Sequence, residues 1–159
     1  MRFILIAAAV FLVGCSEPPP AAPPPDPTTE PWYAESITQL TEMNREADKD
    51  FRGGKPDEAA ALIERGVPIA SELLGVTHPT LAATEAASDL DDLYGRMLFS
   101  NRHYAWAQFE YQKNVARWKN WKPQTPDTER RLKEAETAVA ECDRKILKGA
   151  VPSVPTAPK

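Results

Sequence analysis

Residues 79–121 read PTLAATEAASDLDDLYGRMLFSNRHYAWAQFEYQKNVARWKNW, and the spacing of their apolar side chains sets the fold class. In the first half, Leu81, Ala83, Ala87, Leu90, Tyr94, Met97 and Leu98 recur largely at steps of three and four. In the second, Tyr104, Ala107, Tyr111, Val115 and Trp118 do the same. Apolar residues at that spacing make one stripe along a 3.6-residue helix. Ser100-Asn101-Arg102 leaves room between the stripes for a tight reversal and nothing more. Helices joined this closely lie antiparallel, so the two stripes face each other.

The same grammar extends in both directions. Trp32 to Arg52 reads as a first helix with Ile37, Leu40, Met43, Ala47 and Phe51 on its stripe, ended by Gly53-Gly54. Lys55-Pro56-Asp57-Glu58 opens a second. Proline suits the first helical position, and carboxylates suit the positive end of the helix dipole. Ala59, Leu62 and Ile63 carry its stripe, Pro68 predicts a kink or break at Gly66-Val67, and Leu73-Leu74-Gly75 closes it. His78-Pro79 opens the third helix. Thr125-Pro126-Asp127 opens the fifth, striped by Leu132, Ala135, Val139, Cys142 and Ile146 and stopped by Gly149. Strand-like alternation is missing, so the expectation is an all-α domain over residues 32–148, followed by a disordered tail, 149–159.

Composition agrees once positions are considered. Of 16 prolines, eight lie between Glu17 and Pro31 and three in the tail, where no helix is expected. The net charge of −4 argues against nucleic acid as a partner. Its distribution says more: Glu30 to Gly95 carries 14 acidic and 5 basic residues, and Arg96 to the end 7 acidic and 13 basic. These are either solvated faces of either sign, or two complementary surfaces for a partner or for self-association.

Met1-Arg2 and the apolar run Phe3 to Val13 have the form of a secretory signal peptide, since spanning a bilayer needs about 20 apolar residues. Leu12-Val13-Gly14-Cys15 resembles the lipobox of bacterial lipoproteins. That resemblance implies removal of residues 1–14 and lipidation of Cys15, a membrane-anchored chain facing the periplasm. Ser16 after the lipid favours the outer membrane over the inner. Several acyl chains hold stably where one does not. Residues 15–31, rich in proline, then form an extended or disordered tether of ~3.1 Å per residue.

Two segments repeat. Gly54-Lys-Pro-Asp-Glu-Ala59 matches Arg102-His-Tyr-Ala-Trp-Ala107, each opening the second helix of a pair, and His78-Pro79-Thr80 matches Thr125-Pro126-Asp127. A fixed period of helix pairs marks an α-solenoid. With Leu90, Tyr94-Gly95 and Leu98 in the first helix and Tyr104, Ala107 and Tyr111 in the second, the chain resembles tetratricopeptide repeats of the kinesin light chain type. It departs from them in its longer period, Asp91 at a large apolar position, Asn114 at an alanine position and Pro56 for tyrosine. The resemblance implies a tetratricopeptide-like α-solenoid of about two repeats plus a C-terminal capping helix. A plain five-helix bundle is the alternative.

No catalytic constellation is present. His78 and His103 sit at helix starts, and no His, Cys or acidic pair has zinc-ligand spacing. Phosphate-cradling loops and nucleophile elbows are missing. Asp89, Asp91 and Asp92 read as a solvated face, and Cys142, on a stripe, as a buried thiol. No cofactor and no enzymatic activity are expected. The repeat family binds peptides on the face made by the first helix of each pair, which here implies Asn44, Asp48, Asp89, Asp92 and Arg96. Those residues predict a mostly acidic groove suited to a basic peptide. Arg117 and Trp121, in an aromatic and basic stretch, are a second candidate contact. The expected function is a lipoprotein adaptor that contacts envelope proteins or peptides. A structural, self-associating envelope lipoprotein is the rival.

Overall fold

Helix starts in the computed structural model, which describes residues 25–150 with side chains through Lys148, carry the residues that chemistry demands there. The helices are α1 (Pro31–Arg52), α2 (Pro56–Leu74), α3 (Leu81–Ser100), α4 (Tyr104–Asn120) and α5 (Pro126–Ala150). Proline occupies the first turn of α1 and α2. The Thr80 hydroxyl accepts from the Ala83 amide at 3.3 Å to cap α3. At α5, Thr125 and Thr128 exchange side-chain and backbone hydrogen bonds at 2.8 and 3.3 Å. No strand occurs among the described residues.

α1 packs on α2, α3 on α4 and α4 on α5, while α3 also rests on α1 and α2. The result is an all-α stack of helical hairpins in sequential contact, consistent with a tetratricopeptide-like solenoid. Its repeat is written in the backbone. The amides of Gly53, Gly54, Lys55 and Ala59 donate to the carbonyls of Lys49, Phe51, Asp50 and Lys55. Those of Asn101, Arg102, His103 and Ala107 donate to Met97, Phe99, Leu98 and His103. Each donor and acceptor of the second set lies 48 positions after its counterpart. Gly54 and Arg102 occupy the same left-handed turn position, with φ 77° and 63°.

The main core joins α1, α2 and α3 through Leu40, Ala59, Ile63, Leu73, Ala87, Leu90 and Leu93. A smaller one joins Ala107 and Tyr111 of α4 to Cys142 of α5. Gly95 permits the α3–α4 approach: a Cβ there would lie 2.6 Å from Cε1 of Tyr111.

Four expectations need correction. The break expected as one outcome at Gly66-Val67 does not occur, and α2 stays helical through Pro68. Pro68 and Glu64, whose carbonyl loses its donor, are both solvent-exposed, so water can serve that carbonyl. Gly66 meanwhile is wedged between Leu40 and Leu90. The end of the proline-rich segment is not extended, because Asp26 caps a 3-10 turn at Pro27–Thr29. Gly149 does not stop α5, which continues through Ala150. Leu81 and Tyr94, expected on the inner stripe of α3, are 37% and 38% exposed.

The expected signal peptide, the expected lipidation site Cys15 and most of the expected tether lie outside the described residues, as does the chain beyond Ala150. No helix among the described residues is long and apolar enough to cross a membrane.

Candidate functional site

Asn44, Asp48, Asp89, Asp92 and Arg96 come together. They line one groove of about 290 Å³ between α1 and α3, with Thr41, Arg45, Arg52 and Leu93 completing its wall. Register brings them there: Asn44 and Asp48 are one turn apart on α1, as are Asp92 and Arg96 on α3, and helical neighbours at i and i+4 share a face. Asp89 and Asp92 also border a second groove, of about 220 Å³, whose far wall is Arg130, Arg131 and Glu134 of α5 and whose floor includes Trp118.

The groove is not mostly acidic. Arg96 pairs with Asp48 across the helix interface and with Asp92 on its own helix, both at 2.9 Å. Arg52 holds Asp48 at 2.8 Å, and Arg131 reaches from α5 to Asp89 at 2.8 Å. Three acids, Asp48, Asp89 and Asp92, thus face three bases, Arg45, Arg52 and Arg96, around the first groove. Burial nevertheless pushes the Asp92 carboxyl up, with Arg96 opposing. The surface presents both signs at fixed positions, which suits a segment of mixed charge better than a purely basic one. The sequence misses this because the arginines that balance the acids come from a different turn or a different helix.

Asn44 lines the groove with its amide nitrogen committed to the fold, while its Oδ1 is left without a hydrogen-bond partner among the described residues. It is buried, and its Nδ2 donates to the Ala86 carbonyl of α3 at 2.7 Å. Asn114 of α4 does the same to Ser88 at 2.9 Å, so α3 is gripped on both sides by an asparagine amide. Trp118 adds a bond from its indole Nε1 to Ser88 Oγ at 2.9 Å.

Arg117 and Trp121 do not join this groove. Arg117 Nη2 lies 2.8 Å from Asp91 Oδ2, and its guanidinium also donates to Asn114. It borders a different cleft, between α2 and α4. Trp121 caps the end of α4 and is half-buried. Gln124 holds the chain there by donating to the Trp118 and Trp121 carbonyls at 2.7 and 2.9 Å.

Nor do the three clustered acids form one solvated face, because Asp91 is buried. Lys113 Nζ binds its Oδ1 at 2.6 Å while Arg117 takes Oδ2. The aspartate that departs from the repeat pattern is therefore the centre of an ion cluster bolting α3 to α4. Glu110 belongs to the same cluster through Lys113, and burial raises its carboxyl above the ordinary range against the opposing pull of that lysine. No group of three His, Cys, Asp or Glu among the described residues is arranged to hold a metal ion. No protein-family model matches this chain, and neither a curated protein nor a solved structure matches it.

Proposed function

We propose that this chain is a membrane-anchored lipoprotein whose helical-repeat domain is an adaptor, holding a partner segment along the α1–α3–α5 face. One observation carries the reading: polar residues of α1 and α3 converge on an open groove, with a second beside it toward α5, and both are braced by ion pairs instead of being filled by apolar packing. A preorganised polar surface costs little further ordering when a partner binds, and that is what an adaptor needs. Contact, not catalysis, is the role such a surface serves.

The partner is an envelope protein or peptide carrying both charge signs. The lipid on Cys15 confines the search to the membrane, facing the periplasm. Reversing exposed charges on the groove, Arg45→Glu with Asp89→Lys in the full chain, should abolish capture of the partner from native membranes. Capture of the same proteins in the same amounts would refute the groove as the contact. The anchor has its own test. Intact-mass measurement of the mature chain should find a diacylglycerol adduct on Cys15, and Cys15→Ser should release the chain from membranes.

A further inference from the structure

The opposite face, formed by α2 and α4, carries features that neither the core nor the groove explains. Trp106 is 66% exposed, Phe109 55% and Val67 51%. A tryptophan that open to water is unusual for a surface without a partner. The repeat supplies an internal control. The positions 48 residues earlier are Glu58 and Ala61, both on the exposed side of α2, so hairpin packing does not require aromatics at these places. Trp106 and Phe109 are one turn apart and share a helix face.

Charge divides this face in two. The outward side of α2 bears Asp57, Glu58, Glu64 and Glu72 against Arg65. On α4 the sole acid, Glu110, is buried and held by Lys113, while Lys119 is exposed. Between the helices runs a cleft walled by Val67 and Leu74 of α2 and by Lys113 and Arg117 of α4, with Leu90 in its floor.

We infer that this face binds a second copy of the chain, in a two-fold dimer whose axis runs along the α2–α4 cleft. Rotation about that axis lays α4 of each copy, which shows two aromatics and Lys119 but no exposed acid, over the acidic outer side of α2 of the other. Both contacts are the same contact, so the assembly closes at two. Trp106 and Phe109 then cover the small outer residues of α2, Ala61 and Pro68, and unlike charges meet at the margins. A flat anionic membrane fits less well, because the acids of α2 stand beside α4 and would be pressed against it. The inference is independent of what the groove on the other face binds.

The test uses the full chain in density-matched detergent. Sedimentation should show a monomer–dimer equilibrium. Trp106→Ala with Phe109→Ala, and separately Glu64→Lys with Glu72→Lys, should each weaken it at least tenfold with far-UV circular dichroism unchanged, since all four side chains are exposed. A photoreactive phenylalanine replacing Gln112, in a mixture of isotopically light and heavy chains, should crosslink to residues 56–74 of the other copy. A chain that stays monomeric at ~100 μM, a concentration where a dimer of this kind should be populated, overturns the proposal. So does a crosslink that goes to lipid or to another protein.

Discussion

At Arg102 the backbone sits at φ 63°, a conformation that costs an L-residue on the order of 1 kcal/mol and glycine almost nothing. Its counterpart one repeat earlier is Gly54, with no atom within 4 Å of where a Cβ would stand. The pair isolates backbone strain from packing. Arg102→Gly should raise stability by about 0.5 kcal/mol, the relief being partly offset by the freer unfolded chain, and Gly54→Ala should lower it by about 1 kcal/mol. Urea midpoints of the two variants measure both. Gly95 makes the opposite case. Helix propensity favours alanine there by about 1 kcal/mol, but the added methyl would meet the buried Tyr111 ring, and overpacking costs about 1–3 kcal/mol. Packing should win, and Gly95→Ala should melt lower than the wild type. The turn glycines and Gly95 are visible in the sequence as small residues at turn and helix-contact positions. The ring that makes Gly95 indispensable is sixteen residues away along the chain and becomes its neighbour only after the hairpin closes.

The α3–α4 hairpin depends on polar groups at positions where its repeat pattern leads one to expect apolar ones. Removing Asp91 strands Arg117, whose side chain is only 14% exposed. Breaking a pair of this kind costs about 3 kcal/mol, so Asp91→Ala should lose roughly that much in denaturant titration. Glu110 works in the reverse sense. Burial raises its carboxyl above the unfolded value. The carboxyl therefore favours the fold below that unfolded value, and the advantage disappears as pH rises through the folded one. Glu110→Gln should accordingly gain on the wild type in urea midpoint between about pH 4 and about pH 7. A constant difference across that range would contradict the assignment. Periodicity registered Asp91 as an anomaly but could not resolve it, because the two cations that satisfy it lie on the next helix.

Across the whole molecule the helices are not held equally. Three helices share the larger core, whereas α5 is held through the small Ala107–Tyr111–Cys142 cluster, with Leu98 and Phe99 of α3 packed against it, and on α3 through the ion pairs of Arg131. Elements with few buried apolar contacts open before the rest. Cys142, fully buried and with its thiol pushed up by burial, should react with a thiol reagent only when α5 lifts. Its labelling should therefore outpace global unfolding and speed up several-fold in Arg131→Ala. Labelling at the rate of global unfolding would show that α5 is part of one cooperative unit. Hydrogen exchange should rank the amides in the same order, α5 before α3.

Local rules alone determined that the chain folds into five helices, where four of them begin to within a residue, and that the second hairpin repeats the first. α3 starts at Leu81 behind its Thr80 cap, past the His78-Pro79 that the sequence pointed to. Spacing, capping residues and turn glycines act over a few residues and are written consecutively in the chain. Tertiary structure decided what the polar residues do. Asn44 and Asp91 become internal braces, Asp48 and Asp92 share an arginine, and Pro68 is tolerated in an unbroken helix. The physical reason is that a charge or an amide is defined by its partner, and here that partner comes from another helix, brought within 3 Å by packing that no short-range pattern encodes.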